Sequence, residues 1–474
     1  MNGKEYDVIV AGGGLAGCAA AVASARLGRK TALVEQSGVL GGQASLGLVT
    51  PMGSVFANKD GNGGEGEPFG GICAEIYNEA CALTLKYAAA PDWDTGKVQI
   101  NPHITKYVLL SKCIGCGVDV MFHTTLAGAV CENDEIKKIT VVSKSGMSDI
   151  YAKAFVDCTG DADLVYISGA PYKLGAEEEA YKQLADEGLA KSHVDTLLKK
   201  DEHGKKSHGV RGRLQPVSIF FRMGGVDAEK AMMFNNKALT YENMNVDREE
   251  FEKLPYYNSC GFEPCGERLP MPQGRVLVTY GSIPDTVAVN MSRVINIDGS
   301  DAQSLNRGEY LAQMQIINII DFLRRYIPGF ENSYLLESAS TLGVRESRRM
   351  TGKYTLSAAD VIECKRFDDA VARGSYIIDI HNPGGSSSGA IGGRIKGDYY
   401  EIPLRCLMSE KINNLFAAGR CISADHVAHS SSRVQGTCLM TGQAAGTAAA
   451  IASSGIIPDK DNVRDILIKE GAVS

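Results

Sequence analysis

Residues 6–35 read YDVIVAGGGLAGCAAAVASARLGRKTALVE, and this segment indicates the fold of the chain. Val8–Val10 is the short apolar run of a buried parallel strand, and a glycine-rich turn follows it. The alanine-rich segment Ala19–Leu27 is predicted to be helical, and Thr31–Val34 is predicted to be a second strand. This order predicts the first β-α-β unit of a Rossmann-like α/β domain.

Three glycines and one acidic residue indicate what kind of ligand this unit binds. Gly12, Gly14 and Gly17 form the pattern G-x-G-x-x-G: the first permits a tight turn, the second lets the backbone approach a pyrophosphate, and the third lets helix and strand pack closely. Glu35 ends the second strand, where its carboxylate can accept both hydroxyls of an unphosphorylated ribose. The alternative, a purely structural glycine turn, leaves Glu35 unexplained. The pattern therefore predicts a dinucleotide site.

Length and composition narrow the class of protein. At 474 residues the chain is longer than one ordinary domain, and 44% hydrophobic with 22% charged residues is typical of a globular protein. The net charge of −7 argues against nucleic acid as the main partner. A strand already begins at Tyr6, and no long uninterrupted apolar stretch is present, so we expect a cytoplasmic protein that does not enter a membrane.

Three further segments resemble flavoproteins of the glutathione-reductase structural class. A glycine pair, Gly41 and Gly42, follows Glu35 closely. Residues 118–163 read as a β-meander with strands over Ala127–Cys131, Ile136–Ser143, Asp149–Ala152 and Ala154–Cys158. Residues 413–450 read as a strand, a Gly-Arg turn and a helix of small residues. The resemblance implies FAD rather than NAD, bound without a covalent link.

The motifs also resemble FAD-dependent oxidoreductases related to the flavin subunit of heterodisulfide reductase, and more distantly fumarate reductase and succinate dehydrogenase flavoproteins. The segments that carry this resemblance are Gly41–Gln43, Gly70–Ile72, Thr159–Asp163, Val344–Arg349, Ile378–His381, Gly419–Ser423 and Gly442–Gly446. Besides the G-x-G-x-x-G pattern and Glu35, the resemblance implies that the cofactor is contacted by Gly41, Gly42, Gln43, Thr159, Gly160, Asp161, Gly419, Arg420, Gln435, Gly436 and Thr437. Arg420 stands where most of the class has an aspartate on the ribityl chain, and Asp425 is the nearby acid that would replace it.

The predicted architecture is an FAD-binding domain built from two separated pieces, residues 1–165 and 401–474, with an α+β substrate domain inserted at 166–400. A polar, glycine-rich stretch at 58–71 suits a lid over the cofactor. The charged stretch Glu177–Arg213 is interpreted as a solvated helical excursion, with a partner-binding arm as the alternative.

Four residues are candidates for catalysis. His381 follows an apolar run and precedes a glycine-rich loop, which is typical of an active-site position, although a loop-capping histidine is the alternative. Arg345 and Arg349 could grip a carboxylate in bidentate fashion, or could instead form an ion-paired structural cluster around Glu346. His429 lies in a loop expected to pass the flavin, together with Arg433.

Neither metal nor disulfide chemistry is expected. Cys113 and Cys116 form a C-x-x-C pair, but the pair ends a predicted helix among turn glycines, so we interpret it as structural. His426 and His429 have no further ligand near them in the sequence, which makes a metal site improbable.

The sequence predicts an FAD-dependent oxidoreductase that transfers hydride between the flavin and a small polar or anionic molecule, by reduction of an activated C=C bond or its reverse. NAD(P)H or a redox protein would supply electrons, and a homo-oligomer is left open. One alternative is an electron-transfer subunit working with an iron–sulfur partner. Another is an RNA-modifying flavoprotein, and a third is a protein that holds FAD only as a structural element.

Overall fold

The predicted N-terminal unit lies at the centre of a seven-stranded sheet in the computed structural model. Its strands are β1 (Lys4–Ala11), β2 (Thr31–Val34), β3 (Asp119–Met121), β4 (Thr125–Glu132), β5 (Glu135–Ser143), β6 (Gly146–Asp157) and β17 (Leu415–Ala417). The order of the main path of the sheet is β3-β2-β1-β6-β5-β4, and β17 pairs with β6. Strands β3, β2, β1, β6 and β17 are mutually parallel, whereas β4 and β5 form an antiparallel meander with β6.

The structure describes residues 3–57, 68–88, 99–189, 213–240, 244, 246–253, 273–383 and 390–473. Its helices are α1 (Leu15–Arg26), α2 (Gly71–Tyr87), α3 (Pro102–Gly115), α4 (Asp163–Ile167), α5 (Glu178–Asp186), α6 (Ala228–Met232), α7 (Arg248–Lys253), α8 (Ala302–Tyr326), α9 (Ala358–Ile362), α10 (His426–Ser432), α11 (Gln435–Ala452) and α12 (Lys460–Lys469). The remaining strands are β7 (Tyr172–Leu174), β8 (Phe221–Gly224), β9 (Val278–Tyr280), β10 (Thr286–Val289), β11 (Tyr334–Ser338), β12 (Arg348–Met350), β13 (Ala370–Gly374), β14 (Ile378–His381), β15 (Ala390–Gly393) and β16 (Tyr400–Pro403).

Two predicted boundaries were wrong. The segments Asp149–Ala152 and Ala154–Cys158 form one continuous strand, β6, because its first half pairs with β5 while its second half pairs with β17. Helix α1 begins at Leu15, four residues before the predicted start, because Gly17 lies inside the helix rather than in the turn before it. Most of the predicted lid and most of the charged excursion lie outside the described residues.

The two small-residue helices, α1 and α11, pack with their backbones almost in contact. A Cβ atom at Gly442 would lie 2.2 Å from the carbonyl oxygen of Ala16, and one at Gly446 would lie 2.1 Å from that of Ala20. Both distances are shorter than any van der Waals contact, so these positions require glycine. This contact joins the N-terminal and C-terminal parts of the chain beneath the parallel strands.

A second hydrophobic core lies in the middle of the chain. Strands β11, β8, β10 and β9 form an antiparallel sheet in that order, and α8 packs against it. Phe221, Val287, Leu311 and Ile319 are among its buried members. Residues from α9 through β16 contribute instead to the core that contains α1 and α11.

The predicted fold class, α/β with a Rossmann-like sheet and a β-meander, is confirmed. Within the described ranges, none of the helices combines the length and the hydropathy that spanning a bilayer would require. The predicted boundaries of the inserted domain stay a prediction.

Candidate cofactor and substrate site

A cavity of about 320 Å³ opens where the parallel strands β1, β2, β6 and β17 reach their carboxyl ends, the edge at which ligands bind in open α/β sheets. The predicted cofactor residues that line it are Gly12, Gly14, Glu35, Gly41, Gly42, Gln43, Thr159, Gly160, Asp161, Gly419, Arg420 and Gln435. Gly17, Gly436 and Thr437 do not line it.

The glycine turn brings α1 end-on to this cavity. Gly12 has φ +96°, and a Cβ there would lie 2.4 Å from the carbonyl oxygen of Cys158. A Cβ at Gly17 would lie 1.8 Å from the carbonyl oxygen of Gly12, whereas one at Gly14 would meet no protein atom within 4 Å. Gly12 and Gly17 are therefore required by the fold, while Gly14 leaves room for a ligand in front of the helix N-terminus, where an anion is stabilised.

Glu35 holds the glycine turn in place. One of its carboxylate oxygens accepts a hydrogen bond of 2.7 Å from the backbone N–H of Gly13, and the other accepts one of 2.7 Å from Ser37. The side chain is buried but lines the cavity. Since each carboxylate oxygen has two lone pairs, Glu35 retains capacity to accept ribose hydroxyls.

Two buried polar atoms on the cavity wall have no hydrogen-bond partner in the protein. They are Oε1 of Gln43 and Nη1 of Arg420. The amide nitrogen Nε2 of Gln43 donates to the carbonyl of Leu342 at 3.0 Å, and Nη2 of Arg420 donates to Asp161 at 3.2 Å, so both side chains are held in position. Buried polar groups without a partner are costly, which favours a polar ligand at this wall.

The predicted replacement of the ribityl aspartate by Asp425 finds no support in the geometry. The Asp425 carboxylate caps α10, where it accepts from the backbone N–H of Ala428 at 2.7 Å, and it also accepts from that of Ala358 at 2.7 Å. Both of its oxygens are used in this way, and Asp425 does not line the cavity. Asp161, paired with Arg420, is an acid that does.

A cluster of charged residues adjoins the cavity on the side of β14. Arg433 lines the cavity, and its guanidinium lies 3.7 Å from the carboxylate of Asp379. Nε2 of His381 lies 3.4 Å from the same carboxylate. Arg433 also donates to the backbone carbonyl of Arg345, and Val344, which immediately precedes Arg345 in the chain, lines the cavity.

This cluster carries more positive than negative charges. Arg433, Arg293 and the carboxylate of Asp379 all lie close enough to Arg345 to shift its pKa. His381, Arg433 and Arg345 keep Asp379 ionised, because they lower its pKa against the effect of burial. Burial and the neighbouring arginines lower the pKa of Arg345 to about 9. Burial and Arg345 lower the pKa of His381 to about 4, so this histidine is neutral at neutral pH.

The other two candidates for catalysis, Arg349 and His429, do not line the cavity. Arg349 is fully buried, and its guanidinium binds Glu346, Glu177 and the carbonyl of Gly175. His429 is fully buried as well, and neither of its ring nitrogens has a hydrogen-bond partner. Burial, followed by the charge of Arg349, lowers the pKa of His429 well below its usual range. None of the four predicted catalytic residues lines the cofactor cavity itself, and their catalytic roles stay predictions.

Sequence reasoning missed Asp379 and Arg293 as members of the charged cluster. Asp379 lies on β14 two residues before His381, so its side chain faces the same side of the strand. The alternation of side chains along β14 could therefore have identified Asp379 from the sequence. Arg293 comes from a different part of the chain, and no local pattern links it to β14.

The cysteines and possible metal ligands add little to this picture. Cys113 is buried in α3 and Cys116 is the C-cap of that helix, and both are free thiols. Within the part of the chain that the structure describes, no group of three or more His, Cys, Asp or Glu side chains could hold a metal ion.

The Rossmann-like sheet and the glycine-lined cavity at its carboxyl edge define a dinucleotide-binding protein. The chain belongs to the FAD dependent oxidoreductase family, whose sequence profile matches residues 7–469. FAD is therefore the cofactor, as predicted, and the protein is an oxidoreductase. The residues present fit FAD, because Gly14 with its open position, the acid Glu35, and Gln43 and Arg420 with their unpartnered polar atoms all line the cavity.

Curated relatives share parts of the sequence. The tRNA uridine 5-carboxymethylaminomethyl modification enzyme MnmG of Treponema pallidum (strain Nichols) is 41% identical over 368 residues, which cover 71% of this chain and 55% of that enzyme. The enzyme of the same name from Sulfurihydrogenibium sp. (strain YO3AOP1) is 48% identical over 65 residues, which cover 13% of this chain and 10% of that enzyme. The chain thus spans about half the length, or less, of the curated relatives it matches.

Solved structures with a related arrangement include a geranylgeranyl bacteriochlorophyll reductase-like protein from Thermoplasma acidophilum. It has a TM-score of 0.40 and 14% identity, with 98% of this chain and 84% of that chain covered. The flavin-dependent brominase Bmp2 has a TM-score of 0.45 and 10% identity, with 98% of this chain and 83% of that chain covered. Both TM-scores are too low for these likenesses to bear on the function.

Proposed function

We propose that the protein transfers hydride between FAD and a small anionic substrate, by reducing a C=C bond conjugated to a carboxylate or by the reverse dehydrogenation. The observation that carries the proposal is the cluster of Arg345, Arg433 and Arg293 with the carboxylate of Asp379, beside the cofactor cavity. When bound, FAD supplies the two-electron chemistry. The protein must then hold the substrate and move one proton.

The charge of the cluster favours an anion. The cluster holds three guanidiniums and the carboxylate of Asp379, so it carries an excess of positive charge that a substrate carboxylate would neutralise. Arg433 and Arg345 are the best placed of the three, because Arg433 lines the cavity and Arg345 follows cavity-lining Val344. Arginine suits this role because its planar fork matches a carboxylate.

Proton movement falls to Arg345 and His381. In the reductive direction, hydride adds to one carbon of the double bond and a proton adds to the other. The lowered pKa of Arg345, about 9, leaves it charged at neutral pH yet a better proton donor than an ordinary arginine. His381 is neutral at that pH, because its pKa is about 4, and it can accept the proton in the reverse direction.

The second hydrophobic core supports an inserted substrate domain. Leu305 and Glu309 from α8, with Thr341, Leu342 and Val344 from the segment after β11, line the cavity opposite the glycine turn. We propose that this unit within residues 166–400 covers the cofactor and shapes the substrate pocket. Reducing electrons would come from a pyridine nucleotide entering the same pocket or from a redox protein.

A direct experiment uses the flavin as its own indicator. The bound flavin is photoreduced without oxygen, and its reoxidation is followed after addition of unsaturated carboxylic acids or their methyl esters, which match them in shape but lack the charge. We expect reoxidation by at least one acid and little by its ester. No acid acting as acceptor, or an ester acting as well as its acid, would contradict the proposal.

Modification of RNA is a second candidate, favoured by the sequence match to MnmG, whose name describes an enzyme that modifies tRNA. The net charge of −7 opposes it. Binding of unfractionated tRNA that weakens steeply with rising salt would support this candidate, because phosphate contacts release counterions. Absence of binding at low salt would remove it.

A further inference from the structure

Helix α8 is apolar on two opposite faces. Leu311, Ile316 and Ile319 point into the second core and are buried. On the opposite side, Tyr310 is 51% exposed, and Met314 and Ile317 are 59% and 60% exposed. Scattered apolar residues on a surface need no explanation, but three on consecutive turns of one helix form a continuous stripe. A helix that is apolar on both sides is typical of one with a second packing partner.

The stripe continues into charged residues at both ends. Arg307, Tyr310, Met314, Ile317 and Asp321 are all exposed and follow one another at steps of three, four, three and four. This alternation is the spacing of the contact seam in paired helices. The exposed face of α8 therefore has the pattern of a helix–helix interface, with an apolar centre, Arg307 at one end and Asp321 at the other. Arg324 and Arg325, which are also exposed, follow Asp321 in the last turn of the helix.

The pattern is self-complementary around Met314. Arg307 and Asp321 lie seven residues on either side of it, and Tyr310 and Ile317 lie four and three residues from it. In an antiparallel pair of identical helices centred on Met314, each Arg307 faces Asp321 of the second copy, and each Tyr310 packs beside Ile317 of the second copy. A parallel pair would instead place like charges together.

We propose that a second copy of this chain docks on α8, antiparallel and related by a two-fold axis at Met314. Such isologous contacts are the commonest way in which identical chains associate. The same helix contributes Leu305 and Glu309 to the cofactor cavity, so the interface lies on the outer side of the element that closes this cavity. One helix face is smaller than the roughly 800 Å² that a stable interface buries on each partner, so the dimer is reversible and depends on protein concentration.

Crosslinking at the axis tests the geometry. In the holoenzyme, Met314→Cys places two thiols together on the two-fold axis, and mild oxidation should join most chains in pairs. Asn306→Cys is the matched control: it is exposed on the same helix, but the two copies of it would lie about 24 Å apart along the axis at 1.5 Å per residue. Crosslinking of the Met314→Cys variant no greater than that of this control would overturn the proposal.

A charge exchange tests the pairing independently of any thiol. Arg307→Glu or Asp321→Arg alone places like charges opposite each other, and we expect about three- to tenfold weaker dimerisation by sedimentation at several concentrations. The double variant restores opposite charges and should recover the affinity. All variants should keep the visible flavin spectrum, which controls for folding. A double variant no tighter than the single variants would overturn the antiparallel pairing, as would a wild-type protein that stays monomeric at every concentration.

Discussion

The carboxylate of Glu346 lies 2.8 Å from Nδ1 of His426, and solvent reaches neither side chain. Arg349 binds the same carboxylate, and Nε2 of His426 lies 3.0 Å from the hydroxyl of Tyr181. Burial alone would raise the pKa of Glu346, but His426 and Arg349 outweigh it and lower the pKa to about 2. This buried network holds the segment that carries Arg345 against α10, which leads directly to Arg433.

Glu346→Gln should therefore destabilise the fold. The substitution removes the fully buried carboxylate that binds Arg349 and leaves Arg349 paired with Glu177 alone, and breaking a buried ion pair costs about 3–5 kcal/mol. We expect a clearly lower midpoint of thermal unfolding by circular dichroism, while Lys138→Gln, which removes a partly exposed ion pair, should change it little. Equal midpoints for the two variants would contradict a stabilising role for the network.

Glu346 should also make the stability of the fold depend on pH. Because the pKa of Glu346 is lower in the folded protein than its ordinary value of 4.5, its contribution to stability is complete above that value and is lost as the pH falls toward about 2. The Glu346→Gln variant should lose less stability than wild type across this acid range. An equal loss of stability in wild type and in Glu346→Gln would contradict the lowered pKa of Glu346.

Alanine substitutions at two glycines of the G-x-G-x-x-G pattern should have different effects on the protein. Gly14→Ala meets no protein atom, so the protein should fold and unfold as usual but bind FAD poorly, since the methyl group occupies space in front of the α1 N-terminus. Gly17→Ala forces a Cβ to 1.8 Å from the carbonyl of Gly12 and should lower the unfolding midpoint of the apoprotein itself. Unfolding of both apoproteins, with flavin absorbance of the purified proteins, separates the two effects. Normal flavin content in Gly14→Ala would contradict the predicted approach of the pyrophosphate.

Arg420→Ala should weaken FAD binding about 10- to 100-fold, because a charge-assisted hydrogen bond contributes about 1.5–3 kcal/mol. The prediction rests on the unpartnered Nη1 atom at the cavity wall. Reconstitution of apoprotein with FAD, followed by flavin fluorescence, gives the affinity. Arg405→Ala is the control, since this arginine pairs with Asp369 and does not line the cavity. Equal affinities for the two variants would show that Arg420 does not contact FAD.

Binding of an anionic substrate should be insensitive to pH between about 5 and 8, the range in which an ordinary histidine titrates. His381 stays neutral there because its pKa is about 4, and Arg345 stays charged because its pKa is about 9. Binding should weaken only as the pH rises through about 9 and Arg345 loses its proton. A titration of the flavin spectrum with a carboxylate at several pH values measures this, and a step near pH 6.5 would contradict the neutral state of His381.

The sequence predicted the cofactor half of the site well because its signals are local. Gly12, Gly14 and Glu35 belong to one β-α-β unit, and each occupies a position whose spacing alone defines its role. The meander could be recognised in the same way, although the continuous course of β6 could not, because its second half is fixed by pairing with β17 from the far end of the chain.

The substrate half of the site was harder to predict from the sequence. Arg293, Arg345, Asp379 and Arg433 come from four separate segments, and only the folded chain brings their charges together. Arg349 and His429 carry residue types that suit catalysis, yet burial outside the cavity lining distinguishes them from Arg433, and burial of a charged side chain cannot be read from sequence. The second core around α8 also left no motif to recognise.

If the cofactor cavity and the arginine cluster form one site, an anion bound at the cluster should perturb the flavin. A titration of the visible flavin spectrum with a saturated dicarboxylate, in wild type and in Arg345→Gln, measures this effect. We predict a saturable spectral shift in wild type and binding about 10- to 100-fold weaker in the variant, with equal FAD content in the two proteins. No spectral shift in wild type, or equal affinity in Arg345→Gln, would contradict the account.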